Sequence, residues 1–222
     1  MEERVTSLVN RGLFLEKQFA QNRCFGNPKA GLFQYKEGSI PVVVSAPHTV
    51  RQIRNGTHKK ADMFTGSLAI LLHELTNCHV IYRTYTGRGD ANRDIDCPYK
   101  AHLIKRIEEN EISYLIDLHG MREDRNFDID VGTLNGKSTN WNLERIILDS
   151  FNNFGITDVR FDYLFDADKK GTVTNTIWNE IAIPSFQIEI NGIYRNIKLK
   201  KNYYNFYRLV SSLEYLILSL RG

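Results

Sequence analysis

The chain has few cysteines, and none in a paired arrangement. Cys24, Cys78 and Cys97 are odd in number and share no CxxC spacing. Such a set favours unpaired thiols in a reducing compartment over the disulfide framework of a secreted domain. The first twenty residues also lack the long apolar core and the small-residue cleavage site of a signal peptide. We therefore expect a cytoplasmic protein.

Long apolar runs and an excess of charge of one sign are missing as well. No run approaches the roughly 18 residues that a membrane-spanning helix needs. Lys and Arg (29) outnumber Asp and Glu (26) by only three, and the basic residues are scattered, which argues against a nucleic-acid partner. Without repeats or linker-like stretches, residues 1–222 are predicted to form one domain. Nothing in this composition predicts an oligomeric state.

What the sequence does contain is an alternation of apolar strands and amphipathic helices. The predicted strands span residues 40–46, 78–85, 113–118 and 183–190, and the predicted helices span 63–75, 99–110, 141–154 and 202–220. This alternation is typical of a largely parallel sheet covered on both faces. Segments 127–133 and 159–165 alternate apolar and polar residues, which favours some antiparallel pairing. We predict an α/β three-layer sandwich with a mixed, mostly parallel central sheet.

Three of the predicted strands end in side chains that suit a metal site. His48 and His119 each follow an apolar strand, and Glu189 lies near the end of a third. In such sheets, ligands gather beyond the carboxyl ends of the strands, and imidazole is the commonest zinc ligand. Either histidine alone is more often a hydrogen-bonded structural residue. The three together favour a divalent ion, most simply zinc.

Two carboxylates accompany these histidines. Asp117 precedes His119 by two residues, so strand alternation puts both on one face. There Asp117 could accept a hydrogen bond that orients the imidazole, or it could cap a nearby turn. Glu189 lies between two isoleucines, where burial would raise its pKa toward the range that suits proton transfer; on an edge strand it would instead face water. The Asn191-Gly192 pair ends the strand at once, which favours a catalytic Glu189.

The loop of residues 87–96 (GRGDANRDID) is broken by glycine and dense in charge. The planar guanidinium of Arg93 suits two-point binding of a substrate carboxylate. Arg88 and Arg195 are weaker candidates for the same role. The alternative is a surface loop of solvated ion pairs, which is common for this composition.

These motifs occur in the order of a known family. They are PHT (47–49), an acidic residue near 62, NRD (92–94), DLHG (117–120) and QIEINGIYR (187–195). Over roughly residues 40–195 this set resembles the N-formylglutamate amidohydrolase family, which is similar in fold to the zinc carboxypeptidases. The resemblance implies that His48 and His119 bind zinc, and that Asn92 and Arg93 hold a substrate carboxylate. Glu189 would be the general base and acid.

The chain departs from the carboxypeptidase pattern at the second metal ligand. Those enzymes supply it as HxxE, but here the third residue after His48 is Arg51. The resemblance then implies Asp62 as the acidic ligand, with His58 and Glu74 as alternatives. Asp62 could equally be the N-cap of the helix that follows it. The PHSG spelling of the family is PHTV here, which bears on the shape of the pocket.

The expected reaction is metal-assisted hydrolysis of the amide bond of a small N-acylated acidic amino acid, with N-formylglutamate as the example that the resemblance names. One alternative is a peptide hydrolase: a carboxypeptidase, or a hydrolase of cell-wall or polyglutamate chains. Another is a non-catalytic binding protein of the same fold. The short chain favours the small substrate. Loss of HxxE favours the binding protein, whereas Arg93 and Glu189 favour an enzyme.

Overall fold

A computed structural model of the chain describes residues 1–87 and 89–221. The α-helices are α1 (Glu2–Glu16), α2 (Gln21–Cys24), α3 (Thr65–Thr76), α4 (Pro98–Glu109), α5 (Trp141–Asn152), α6 (Val173–Ile181), α7 (Gly192–Arg195) and α8 (Tyr203–Ser219). The strands are β1 (Phe33–Lys36), β2 (Ile40–Ala46), β3 (Gln52–Arg54), β4 (Thr57–Lys59), β5 (Cys78–Arg83), β6 (Tyr114–Gly120), β7 (Ile129–Gly132), β8 (Val159–Phe161) and β9 (Ser185–Ile190). Arg88, one of the candidate carboxylate-binding residues, lies outside the described residues.

Seven of the strands form one mixed sheet in the order β1-β5-β2-β6-β9-β7-β8. The four central strands β5, β2, β6 and β9 are parallel, whereas β1 and β7 run antiparallel to their inner neighbours. β8 pairs parallel with β7. Strands β3 and β4 form a separate antiparallel hairpin. The predicted mixed, mostly parallel sheet is confirmed, while the extent of the domain stays a prediction.

The main strands and four of the helices were predicted near their observed positions. The elements that were not predicted are α1, α2, β1, the β3–β4 hairpin, α6 and α7. β1 (FQYK) lacks an apolar run, and α6 (VTNTIWNEI) is rich in β-branched residues of low helix propensity. The predicted strand 159–165 ends early, at Phe161, because Asp162 takes a left-handed backbone conformation with a φ of 48°.

The two faces of the sheet are covered differently. On one face, Val42, Val44, Leu118 and Ile188 belong to a large apolar cluster with residues of α1, α3, α5 and α8. On the other face, a smaller cluster joins Val43 of β2, Ile81 of β5 and Leu115 of β6 to α4 and α6. Beyond that cluster the same face becomes polar toward the carboxyl ends of the strands. The buried polar residues on it include Ser45, Asp117, His119, Asp130, Gln187 and Glu189.

None of the helices within residues 1–87 and 89–221 has the length and apolar character needed to cross a membrane.

Candidate metal centre

The two predicted histidine ligands lie side by side at the polar end of the sheet. His48 follows β2, His119 lies in β6, and their ring centroids are 4.6 Å apart. The Nε2 atom of each ring contacts a carboxylate. His48 Nε2 lies 2.7 Å from Asp90 Oδ1, and His119 Nε2 lies 3.1 Å from Asp117 Oδ2. A neutral imidazole that donates from Nε2 keeps its lone pair on Nδ1. In that neutral tautomer both Nδ1 atoms are acceptors that an ion can use.

Asp62 completes the set. Its Oδ2 atom lies 3.3 Å from Nδ1 of His48 and 3.3 Å from Nδ1 of His119. Charge-assisted hydrogen bonds between such groups are usually about 2.7–2.9 Å long. Ligand atoms at 2.0–2.1 Å from a tetrahedral zinc ion, in contrast, lie about 3.3–3.4 Å from one another. The donor types and their spacing thus fit a divalent ion with three protein ligands.

Local backbone bonds direct the Asp62 side chain into this position. Gly120 N donates to Asp62 Oδ2 at 3.2 Å, and Asp62 N donates to His48 O at 2.8 Å. The alternative role of Asp62 as the cap of α3 is not what the structure shows. The N-cap residue is Phe64, and the Glu16 carboxylate accepts there from Phe64 N at 3.0 Å and from Ser67 Oγ at 2.9 Å.

The two alternative ligands lie on the surface. His58 is exposed and packs edge-on against Phe25. Glu74 forms a salt bridge with Arg11. Neither belongs to the group of metal-ligating atoms, all within 4.8 Å of one another, that His48, Asp62 and His119 form.

The charges around the centre favour the ionised forms of its carboxylates. Burial opposes ionisation of Asp62, but Lys59 and the two histidines hold its pKa well below the usual range. Burial likewise opposes ionisation of Asp90. The contacts of Asp90 with His48 and Arg54 outweigh the effect of burial and lower its pKa. For His119, burial lowers the pKa, but Asp117 outweighs that effect and raises it to about 10. This concentration of negative charge suits a bound cation.

Glu189 lies beside His119. The two residues pair in register across the parallel strands β9 and β6, so their side chains project from the same face. Glu189 is 8% exposed, and Gln187 Nε2 donates to its Oε1 at 3.2 Å. Burial raises the pKa of Glu189, although the neighbouring His119 opposes that shift. A carboxyl group with a raised pKa next to a metal site can take up and release a proton near neutral pH.

The predicted carboxylate-binding residues Asn92 and Arg93 lie in different surroundings. Asn92 joins its loop to the sheet and to α6: its Nδ2 donates to Gln187 Oε1 at 3.2 Å, and its Oδ1 accepts from Val173 N at 2.7 Å. Arg93 is exposed, and its side chain forms no hydrogen bond or ion pair with any residue that the structure describes. The structure does not bring the Arg93 guanidinium into contact with the metal ligands.

Arg195 is buried and joins the loops that carry the site. Its guanidinium donates to the carbonyl oxygens of Ile190, Met63 and Met121 at 3.2, 2.6 and 2.7 Å. It also lies against Gly120, where an added Cβ would be 2.3 Å from the Arg195 Cζ. These contacts hold the segments after β6 and β9 and before α3 together. Its predicted role in substrate binding stays a prediction.

A cavity of about 320 Å³ is formed by sequence neighbours of the candidate ligands, and none of His48, Asp62, His119 or Glu189 lines it. It is lined by Ala61 and Met63, which flank Asp62, and by Met121, which follows the His119 segment. Its charged lining residues are Arg51, Lys60, Arg122, Arg195 and Glu123. Four cations against one carboxylate suit an anionic ligand.

Sequence reasoning missed three charged residues of the centre: Lys59, Arg54 and Asp90. Lys59 Nζ lies 2.7 Å from His48 Nδ1 and 4.0 Å from Asp62 Oδ1. Arg54 donates to Asp90 Oδ2 at 2.9 Å from Nε and 2.6 Å from Nη2. Asp90 belongs to the charge-dense loop that the sequence had already marked. The hairpin that carries the two cations has no apolar pattern that could have located it.

Comparison with solved structures shows which fold these residues share. The N-formylglutamate amidohydrolase of Ralstonia eutropha JMP134 is 14% identical, with a TM-score of 0.56 over 85% of this chain and 97% of that one. A bacteriophage poly-gamma-glutamate hydrolase is 17% identical, with a TM-score of 0.55 over 85% and 87%. A metallo-carboxypeptidase of Pseudomonas aeruginosa is 14% identical, with a TM-score of 0.51 over 99% and 69%.

The chain therefore has the carboxypeptidase-like α/β fold, which the motif order had implied. A scan against protein-family models matches none of them, and a search of curated proteins finds no match.

Proposed function

We propose that this protein is a zinc-dependent hydrolase that cleaves the amide bond of a small N-acylated acidic amino acid. One observation carries the proposal: two imidazole Nδ1 atoms lie at 3.3 Å from one carboxylate oxygen of Asp62, and Glu189 lies on the adjacent strand. The free thiols of Cys24, Cys78 and Cys97 support the expected cytoplasmic location.

In this proposal His48, Asp62 and His119 hold the ion. Bound there, zinc would lower the pKa of a water molecule to roughly 7 and polarise the scissile carbonyl. Asp90 and Asp117 keep the two imidazoles in the tautomer and orientation that expose Nδ1. Glu189 accepts a proton from the attacking water and passes it to the leaving nitrogen, and its raised pKa suits both steps.

The cationic cavity that Ala61 and Met63 help to line supports a substrate that carries a carboxylate. Arg51, Lys60, Arg122 and Arg195 line it, and this charge suits an acidic side chain. Asn92 and Arg93, which the family resemblance implies for this role, remain candidates that a variant series can test against Arg122. N-formylglutamate is the first substrate to try, because motif order and fold both resemble its amidohydrolase.

A chain of linked acidic residues is the second candidate substrate. Lys60 and Arg122 are exposed at the border of the cavity, so a longer anionic ligand could extend along them. A neighbour of similar fold is a poly-gamma-glutamate hydrolase. N-formylglutamate and a short γ-linked glutamate oligomer, assayed side by side, separate the two substrates.

The decisive first experiment is elemental analysis of purified, tag-free protein. We expect near-stoichiometric zinc in the wild type and its loss in His48→Ala and in His119→Ala, with His58→Ala as a surface control that keeps the metal. Zinc together with turnover of either substrate supports the proposal. A wild type that binds no added zinc contradicts it. Zinc without turnover of any acylated amino acid or peptide points to the binding-protein alternative.

A further inference from the structure

Lys59 enters the metal centre from the solvent side. It ends strand β4, whose residues Thr57 and His58 are exposed. Its side chain is 34% exposed, and its ammonium lies 2.7 Å from His48 Nδ1 and 4.0 Å from Asp62 Oδ1. Both contacts are with residues that would bind the ion.

Lys59 and a metal ion cannot use His48 at the same time. Nδ1 has a single lone pair, which either accepts a hydrogen bond from the ammonium or coordinates the ion. Two adjacent cations would also repel each other. Ion binding must therefore displace the ammonium from His48. The flexible four-carbon stem of lysine allows this movement without a change in the hairpin backbone.

The displaced ammonium remains at the open side of the centre. Arg54 fixes the hairpin there through its ion pair with Asp90, and the pairing of Gln52 with Lys59 fixes the end of β4. Within the part of the chain that the structure describes, Lys59 is the only lysine or arginine with a side-chain hydrogen bond or ion pair to His48, Asp62, His119 or Glu189.

On these grounds, and resting on the function proposed above, we propose that Lys59 is the substrate-facing cation of this centre. It gives up His48 Nδ1 to the ion and then donates to the oxygen of the scissile carbonyl, where negative charge develops. The ammonium keeps its three protons throughout. The proton of the attacking water goes to Glu189 and from there to the leaving nitrogen, as the C–N bond breaks.

The first test measures zinc affinity, by competition with a chromophoric chelator, in the wild type, Lys59→Met and Lys105→Met. Lys105 is an exposed lysine paired with Glu109 on α4, so its variant controls for the loss of one charge. Because the wild type must break the contact with His48, we expect Lys59→Met to bind zinc roughly 3- to 30-fold more tightly. Equal affinity in Lys59→Met and the wild type overturns the inference while leaving the metal site intact. If none of the three proteins binds zinc, the proposed function itself fails.

The second test measures kcat and KM at saturating zinc. Loss of a positive charge that acts on the developing oxyanion should lower kcat by about 10²- to 10³-fold, with a much smaller change in KM. Lys59→Arg should recover part of that loss because it keeps the charge, and Lys105→Met should match the wild type. If Lys59→Met binds zinc more tightly yet turns over at the wild-type rate, Lys59 does not face the substrate.

Discussion

The two faces of the central sheet are built from the same strands but differ in chemistry. One face is apolar along the length of the central strands and packs into the cluster with α1, α3, α5 and α8. The other is apolar only beneath α4 and α6, and it turns polar toward the carboxyl ends of the strands. Because side chains alternate along a strand, each strand contributes to both faces. The uniform face can stabilise the fold, while the divided face holds the charged groups of the candidate metal centre.

Neighbouring residues of β9 make this difference concrete. Ile188 is fully buried in the large apolar cluster, and Glu189, the next residue, lies beside His119. If one face serves stability and the other serves catalysis, substitution of Ile188 should affect stability alone. Substitution of Glu189 should then affect turnover alone. This pair therefore provides the sharpest test of the comparison.

The largest effect is expected from Glu189→Gln. The amide is nearly isosteric with the carboxyl group but cannot accept the proton of the attacking water, so turnover should fall by at least about 10³-fold. Zinc content and the thermal midpoint should stay close to those of the wild type. The measurement is steady-state kinetics on protein of known zinc content. A variant that keeps more than a tenth of the wild-type rate would exclude Glu189 as the general base.

Ile188→Ala tests the apolar face of the same strand. Removing a fully buried aliphatic side chain should cost about 2–5 kcal/mol of unfolding free energy. That corresponds to a fall of about 4–20 °C in the thermal midpoint of a domain of this size. Below that midpoint, zinc content and kcat per folded molecule should be unchanged. A large loss of kcat in folded protein would show that the two faces are not independent.

Asp117→Asn tests how the polar face orients its ligands. Asp117 Oδ2 faces His119 Nε2, whereas its Oδ1 has no hydrogen-bond partner among the described residues. An asparagine can keep the hydrogen bond from His119 but loses the charge that makes the imidazole a better ligand. Zinc affinity should fall about 10- to 100-fold.

Asp130→Asn is the matched control for that experiment. Asp130 is buried on the same face, but its carboxylate accepts from the backbone N–H groups of Tyr163, Leu164 and Phe165. Its substitution should lower stability and leave zinc affinity unchanged. Equal losses of affinity in the two variants would mean that any buried negative charge on this face serves the ion equally.

The sequence predicted the parts of this arrangement that follow from strand patterns. Apolar runs located β2, β6 and β9, and the parallel-sheet rule then placed His48, His119 and Glu189 at one edge. Asp62 needed the family resemblance, because the same residue type at the start of a helix is also a common cap. The structure shows that Phe64 is the N-cap residue and that its N–H donates to Glu16, 48 residues earlier in the chain.

Contacts that span long stretches of sequence could not be predicted in the same way. The pairing of Arg54 with Asp90 joins an exposed hairpin to a loop 36 residues further on. Lys59 reaches His48 from a strand whose residues show no apolar periodicity. The sequence singled out Arg93 as a carboxylate-binding residue, and that role stays a prediction, because the direction of a side chain depends on how its loop folds against its neighbours.

The smallest predicted effect concerns Glu16, which lies within the apolar face. Burial raises the pKa of Glu16 to about 7, although hydrogen bonds from Phe64 N and Ser67 Oγ oppose that shift. Between the unfolded value near 4.5 and about 7, the folded protein therefore binds more protons than the unfolded chain, so stability falls as pH rises through this window.

Glu16→Gln should remove that loss, since glutamine imitates the protonated acid. The two proteins should have the same thermal midpoint near pH 4.5, and the variant should be more stable at pH 8. A pKa difference of this size corresponds to at most about 3 kcal/mol, and we expect about 1 kcal/mol because the amide must keep the two hydrogen bonds. Glu74→Gln is the control of opposite sign: Arg11 lowers the pKa of this exposed carboxyl, so its loss should give no gain at pH 8. A Glu16→Gln protein that is less stable than the wild type at pH 8 would show that the apolar face holds this carboxylate ionised, as the polar face holds Asp62.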